Sequence, residues 1–206
     1  YQDDVSLHYY LLASKDGITI GKRYFKHENN KEDYPFSPSG HNLYDNNSKL
    51  YYCRDFDNIV YQIHEDSVVP RFRINLPNPL PASMIEERPN EMSLLRSGYS
   101  LGITDIYEYG GLLFFRFVKD GYIWSCLYNV EESKQVYCAK RIKFLDSSLI
   151  DTIDGIYKDC FYSILTPEYL DYAFSENPLE DYPDLFKTYD VEGDNPVIAF
   201  YRAVVR

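Results

Sequence analysis

Short runs of alternating apolar and polar residues, separated by turn residues, are the feature that most constrains the fold of this chain. In the segment KLYYCRDFDNIVYQIHEDSVVPRFRINL, residues 59–64 and 71–76 alternate in this way. This period of two is typical of strands with one buried face. Turn-forming residues at 55–58 and 65–67 separate the runs. Residues 49–76 are therefore predicted to form three strands joined by tight turns.

The same order of strands returns later in the chain. Residues 50–74 and residues 112–142 each run from an apolar strand to an aromatic strand and then to a strand with basic residues. The 22 Tyr and 12 Phe residues also favour strands, because their broad rings pack well on pleated faces. A sandwich and a propeller both fit, but the repeated unit is typical of propeller blades. We therefore predict an all-β fold of radially arranged antiparallel sheets, with less than about a tenth helix against the usual third.

Turns and short helices can be placed between these strands. The tripeptide Lys-Asp-Gly occurs at 15–17 and at 119–121, and Asp-Gly supplies the positive φ angles that tight hairpins require. We expect positive φ at Gly17 and Gly121. A short helix is predicted around residues 90–96, and a helical turn is predicted to start at Pro167. Three polar connections, at 27–42, 78–99 and 166–190, link the strands.

Charge and cysteine spacing exclude several classes of function. The net charge of −11 repels phosphate backbones, so nucleic acid is a poor partner. The sequence has no apolar run of about 20 residues, the length that spans a bilayer. The four cysteines form no C-x-x-C pair, so neither a metal site nor a cofactor is predicted. Cys126 and Cys138 flank one turn and can face each other, but we expect them to be small buried apolar residues.

Arg116 interrupts the apolar run LLFFRFV, and a buried guanidinium is costly unless it meets water or a carboxylate. If this strand is the innermost of its blade, Arg116 points toward the ring axis and can bind an anionic ligand. The alternative is a structural ion pair with an acid of a neighbouring blade, which we favour. No other charge lies in the run 112–118.

Two acids and a group of aromatic residues are further candidates for a site. Asp151 and Asp154 are close in sequence, and two adjacent carboxylates are the minimum for glycoside hydrolysis. Asp154 followed by Gly155 is also typical of a turn, which we favour. The aromatic residues are Tyr107, Tyr109, Tyr122 and Trp124. Their flat rings suit stacking on sugars, but packing between blades is the favoured interpretation.

The chain resembles a family of six-bladed β-propeller domains found in Bacteroidetes-type cell-envelope lipoproteins, which are related to NHL-repeat propellers. The resemblance rests on YYCRDFDNIVYQIHEDSVVPRFRINLP, on LLFFRFVKDGYIWSCLYN and on the terminal NPVIAFYRAVV, and it extends over most of residues 7–204. It implies that residues 1–206 are a single propeller domain, incomplete at the N-terminus, with three to four of six blades. It also implies a location in the periplasm or on the outer cell surface, with a lipid anchor outside this chain.

Two functions fit the sequence, which shows no catalytic signature. The first is a non-catalytic binding or scaffold module whose loops meet a glycan, peptide or protein. The alternative is a propeller enzyme, a glycan hydrolase or lyase, that uses Asp105, Asp151 and Asp154 with Arg116 as an anion clamp. Convergent carboxylates at the mouth of a channel favour the enzyme, whereas dispersed acids favour the binding module.

Overall fold

The chain folds mostly into strands. The computed structural model describes residues 9–16, 19–26, 42–87, 89–140, 153–176, 186, 188–190, 192–193 and 195–202. Strands make up 52% and helices 13% of the structure, so the all-β prediction is confirmed. The expected helix content of less than a tenth is wrong, because the connections at 77–99 and after residue 166 contain three helices.

Four antiparallel sheets contain all thirteen strands of the described residues. The first sheet pairs β1 (Tyr9–Ser14) with β2 (Ile20–Lys26). The second sheet has the order β3 (Leu43–Asn46), β4 (Lys49–Cys53), β5 (Ile59–Ile63) and β6 (Val68–Arg73). The third has the order β7 (Ser100–Tyr109), β8 (Leu112–Lys119), β9 (Tyr122–Asn129) and β10 (Lys134–Ala139). The fourth has the order β11 (Gly155–Tyr157), β12 (Cys160–Leu165) and β13 (Val197–Tyr201).

The sheets are arranged as the blades of a propeller. The first strands of the second, third and fourth sheets, β3, β7 and β11, contact one another and are therefore the innermost strands. In each of these sheets the later strands follow outward in chain order. The run LLFFRFV forms β8, which is the second strand of its sheet. The expectation that this strand is innermost is therefore wrong.

The two ends of the sheets differ in the length of their connections. At one end, tight turns join β3 to β4, β7 to β8 and β11 to β12, and we call this the turn end. At the opposite end, strands β6, β10 and β12 end and strands β7, β11 and β13 begin. We call this second end the loop end. The predicted connection at 78–99 begins and ends there, as does the described part of 166–190 that follows β12. Most of 27–42 and residues 177–185 lie outside the described residues.

Three helices have both ends within the described residues of the loop-end connections. They are α1 (Ala82–Glu86), α2 (Glu91–Leu95) and α3 (Pro167–Glu176). The Asn90 side chain caps α2 by accepting a hydrogen bond of 2.9 Å from the Ser93 backbone N–H. The predicted helix around residues 90–96 is confirmed, as is the helical start at Pro167.

Tight turns have the positive φ angles that the sequence predicts. Asp120 and Gly121 have φ values of 54° and 72°, as expected for a two-residue hairpin. At the turn end, Asn47 and Ser48 have φ values of 51° and 82°. Gly17 lies outside the described residues.

Cys126 on β9 and Cys138 on β10 are opposite each other in register and form a disulfide. The expectation that they are unlinked apolar residues is wrong, because the pairing of the two strands brings their side chains together. Cys53 and Cys160 have free thiols.

Glu108 on β7 joins the third sheet to the second. Its carboxylate, only 10% exposed, accepts hydrogen bonds from Lys49 and Arg71 at 3.0 Å each, and from the Tyr51 hydroxyl. The backbone N–H of Glu108 also donates to the Asn46 side chain at 2.6 Å. Burial raises the pKa of Glu108, but these donors outweigh it and hold the pKa below its ordinary value.

A second contact between these sheets depends on a glycine. Gly102 on β7 has a φ of 98°, and a Cβ there would lie 2.8 Å from the Cα of Phe56 in the β4–β5 turn. The backbone of that turn also meets β7 directly, since the Ile103 N–H donates to the Asp57 carbonyl at 3.2 Å. Only glycine allows the backbones of β7 and of the β4–β5 turn to come this close.

Replacing Gly102 with Ala should destabilise the fold by about 2 kcal/mol or more, since it adds both backbone strain and a clash with the Phe56 backbone. The matched control is Gly110→Ala, where φ is 58° but no atom lies within 4 Å of the added Cβ. Urea unfolding of both variants measures the difference. An equal loss for the two variants would show that the close approach contributes nothing.

Replacing Glu108 with Gln should lower stability at neutral pH by on the order of 2 kcal/mol, because three donors lose a charged acceptor. Since the pKa of Glu108 is lowered in the folded state, its contribution is present above the unfolded pKa of about 4.3 and is lost as the pH falls through the folded value. Unfolding free energies of parent and variant should therefore converge as the pH falls from the unfolded pKa through the lowered pKa of Glu108. A constant difference across that range would contradict this role.

Candidate functional site

Arg116 forms an ion pair within its own sheet. It lies opposite Asp105 in the register of β7 and β8, and its Nε and Nη2 atoms both lie 2.7 Å from the Asp105 Oδ2 atom. The Arg116 side chain is 18% exposed and Asp105 is buried. The favoured interpretation of a structural pair is correct, but the acid lies on the neighbouring strand and not on a neighbouring blade. A role of Arg116 in anion binding stays a prediction.

Tyr107, Tyr109 and Asp154 lie with this pair between the third and fourth sheets. The Tyr107 hydroxyl donates to the Asp154 backbone carbonyl at 3.0 Å, and the Tyr109 ring packs edge-on against Phe161 at 6.4 Å. Burial raises the pKa of Tyr107, and the carboxylates of Asp105 and Asp154 raise it further. Tyr107 is therefore a neutral hydrogen-bond donor near neutral pH.

The Asp154 carboxylate has a structural role at the start of the fourth sheet. It accepts a hydrogen bond of 2.7 Å from the Ile164 backbone N–H, and the Asp154 N–H donates to the Tyr162 carbonyl at 2.9 Å. Asp154 leads directly into β11, so the expectation of a turn at Asp154 and Gly155 is wrong. Asp151 lies outside the described residues.

The seam between these sheets contains further buried polar groups that the sequence did not identify. Ser125 and Ser163 are buried, and the Tyr201 hydroxyl interacts with Ser163. Burial raises the pKa of Tyr201 to about 12, which a hydrogen bond from Ser163 partly opposes. The sequence alone could not identify this group, because its members lie on β9, β12 and β13 and come together only when the strands are assembled into sheets.

Trp124 lies on the opposite face of the third sheet from Arg116. Trp124 is opposite Phe117 in register, and their rings stack at 6.2 Å. Next to it, the Lys140 ammonium lies 3.5 Å from the centre of the Tyr122 ring, a cation–π contact. The four predicted aromatic residues therefore do not form one cluster. Tyr107 and Tyr109 face the fourth sheet, whereas Trp124 does not.

The loop end carries large exposed apolar side chains. Tyr122, which follows the β8–β9 turn, is 54% exposed, and Tyr172 on α3 is 55% exposed. Met92 on α2 and Ile123 on β9 are also exposed. Exposed aromatic side chains are frequent at binding surfaces, because each combines a large apolar face with a polar group.

A cavity of about 560 Å³ lies at the other end of the molecule. Its lining includes Lys15, Asp16, Lys22 and Glu65, from the β1–β2 turn and the β5–β6 turn. The charges are paired, since Lys22 lies 2.7 Å from Asp66 and Lys15 lies 3.8 Å from Glu65. This cavity contains none of the predicted site residues.

The described residues contain neither a cluster of metal ligands nor a membrane-spanning helix. No group of three or more His, Cys, Asp or Glu side chains is placed to hold a metal ion within the described ranges. None of the helices in the described part of the chain is long and apolar enough to cross a bilayer.

Comparison with known proteins identifies the same fold. The model of a family described as a 6-bladed beta-propeller matches residues 1–148. The crystal structure of a "putative exported protein" from Bacteroides fragilis NCTC 9343 is similar, with a TM-score of 0.71 and 16% identity over 97% of this chain. The chain spans 59% of that protein's chain. No curated protein shows significant similarity. The predicted resemblance to a six-bladed propeller of the Bacteroidetes type is confirmed.

Replacing Arg116 with Ala should destabilise the fold by roughly 3 kcal/mol, because it leaves the buried Asp105 carboxylate without its partner. The double variant Asp105→Asn with Arg116→Ala should recover part of this loss, since no unpaired charge remains. Urea unfolding of the parent, both single variants and the double variant measures the coupling. Additive losses would show that the two side chains are not coupled and that the pair does not stabilise the third sheet.

Proposed function

The chain belongs to the 6-bladed β-propeller family, and we propose that it is a non-catalytic binding module outside the cytoplasm. Its loop end binds a glycan, a peptide or a partner protein. The single observation that carries this proposal is the arrangement of the connections. The connections that follow β6, β10 and β12 begin and end at the same end of the sheets.

A rigid set of sheets with its long connections at one end is suited to recognition. The turn end consists of tight hairpins, which offer little surface that can vary. Loops held by a rigid scaffold commonly carry binding residues. The loop end also presents the exposed rings of Tyr122 and Tyr172, which can stack on a sugar or pack against a peptide.

The hydrogen bonds of the candidate acids favour binding over hydrolysis. Asp105 is paired with Arg116, and the Asp154 carboxylate accepts the Ile164 N–H. A glycoside hydrolase needs one carboxyl group as an acid and a second as a base or nucleophile, both directed at the substrate. Carboxylates whose oxygens already accept structural hydrogen bonds are poorly placed to act on a substrate. The enzyme alternative therefore has less support.

Two observations support a location outside the cytoplasm. The disulfide between Cys126 and Cys138 is typical of oxidising compartments. The similar Bacteroides fragilis protein is named as an exported protein. We propose that this chain lies in the periplasm or on the outer cell surface.

The double variant Tyr122→Ala with Tyr172→Ala tests the proposed surface. Both side chains are more than half exposed, so the fold should be retained. Calorimetric titration of a panel of neutral and acidic oligosaccharides and peptides should identify compounds that bind the parent. We expect the variant to lose at least about tenfold in affinity for them, or roughly 1.4 kcal/mol.

The matched control is Tyr157→Ala, which removes an equally exposed ring at the turn end. It should bind as the parent does. Binding that survives in the loop-end variant, or that is lost only in the Tyr157 control, would place the ligand elsewhere. Turnover of any oligosaccharide in the panel would favour the enzyme alternative.

A further inference from the structure

Tyr122, at the loop end of the third sheet, forms a cation–π group with Trp124 and Lys140. The Lys140 ammonium lies 3.5 Å from the centre of the Tyr122 ring and 5.8 Å from the centre of the Trp124 ring. Both rings lie on one face of the sheet, because Tyr122 and Trp124 are two residues apart on β9. We call these three residues the loop-end group. The ring contacts hold the Lys140 side chain in place, so less conformational entropy remains to be lost when it binds a ligand.

The loop-end group contains two hydrogen-bond donors to which the described part of the chain offers no acceptor. The Lys140 ammonium is exposed, and its contacts there are with the two rings and not with a carboxylate. The Nε1–H group of Trp124 is buried and has no hydrogen-bond partner in the same ranges. Buried donors are rarely left unpaired in proteins. A ligand that brings acceptor oxygens would therefore complement this group.

The charges beside the loop-end group are mainly basic, although the chain as a whole is acidic. A Cβ at Gly121 would lie 3.8 Å from the Leu95 carbonyl oxygen, so the end of α2 lies beside the β8–β9 turn. Arg96, the exposed residue that follows Leu95, forms no ion pair with any residue that the structure describes. In the same turn the Asp120 carboxylate lies 2.9 Å from the Lys119 ammonium, so its charge is compensated.

The net charge of −11 does not prevent an anion from binding at this position. At physiological salt the screening length is about 8 Å, so a ligand at the surface responds mainly to the charges next to it. Here those charges include the positive side chains of Arg96 and Lys140, neither of which is neutralised by an acid of the described residues. An acidic ligand therefore meets a local charge opposite to that of the chain.

We propose that the loop-end group binds an acidic sugar, a uronic acid unit of a glycan; this inference rests on the proposed function and names the class of its ligand. The Tyr122 ring, whose residue is 54% exposed, packs against the sugar ring, and Lys140 and Arg96 bind the carboxylate. An acidic peptide fits this surface less well, because its carboxylates extend from a flexible backbone that offers the Tyr122 ring no flat apolar face.

Calorimetric titration with hexagalacturonate and with its fully methyl-esterified form tests the need for an acid, because the ester keeps the sugar rings and removes the charge. The acid should bind at least about tenfold more tightly than the ester, and raising the salt from about 0.05 M to about 0.5 M should remove most of this difference. Trp124 is the only tryptophan of the chain, and its fluorescence should change when the acid binds, since Lys140 lies beside its ring.

Replacing Lys140 with Gln should weaken binding of hexagalacturonate by at least about tenfold and leave binding of the ester unchanged, whereas Lys140→Arg should retain the affinity of the parent. The matched control is Lys158→Gln at the turn end, where the Lys158 ammonium lies 5.2 Å from the centre of the exposed Tyr157 ring. This control should bind as the parent does. Both lysines are exposed, so thermal unfolding should be unchanged in all three variants.

Four results would overturn this inference and leave the proposed function standing. They are a parent that does not bind hexagalacturonate, equal affinity for the acid and the ester, tighter binding of hexaglutamate than of hexagalacturonate, and equal losses in the Lys140→Gln and Lys158→Gln variants. Binding of hexagalacturonate that the double variant Tyr122→Ala with Tyr172→Ala does not weaken would instead overturn the proposed function, and this inference with it.

Discussion

This fold depends on side chains that fix the position of one sheet against the next, and the buried carboxylate of Glu108 is the clearest example. Backbone hydrogen bonds hold each sheet together, but the contact between two sheets relies mainly on side chains. Glu108 reaches from β7 of the third sheet to three donors of the second sheet, Lys49, Tyr51 and Arg71. A charge so deeply buried is tolerated only when its hydrogen bonds are satisfied, and these bonds also fix one relative position of the two sheets.

The same strand fixes the next seam as well. On the other face of β7, the Tyr107 hydroxyl crosses to the Asp154 carbonyl of the fourth sheet, beside the Asp105–Arg116 pair that lies within the third sheet. Apolar packing alone would allow neighbouring sheets to slide, because it is not directional. The polar contacts of β7 add direction at both seams. The innermost strand of the third sheet is therefore the element that sets the angle between its neighbours.

The sequence predicted the outer strands of the blades better than the innermost ones. Alternation identified β5 and β6, and the repeated order of apolar and aromatic runs with clear turns beside them identified β4, β8 and β9. The strand β7 was missed, because residues 100–107 are buried on both faces and so show no alternation. For the same reason Asp105 could not be named as the partner of Arg116, since a cross-strand pair appears only when both strands and their register are known. The disulfide between Cys126 and Cys138 depends on register in the same way.

The position of the acids explains why a search for catalytic residues in this sequence is misleading. Asp105, Glu108 and Asp154 stand out in apolar surroundings, which is also how catalytic carboxylates appear in a sequence. In the structure Asp105 pairs within the third sheet, Glu108 joins two sheets and Asp154 holds a strand end, so changes at these positions act on stability before they act on any ligand. The loop end carries the opposite type of residue, such as Tyr122 and Tyr172, which are exposed and add little to the seams. Under the proposed function, recognition can change at the loop end while the seams keep the geometry of the sheets, a separation by which a rigid scaffold can serve different ligands.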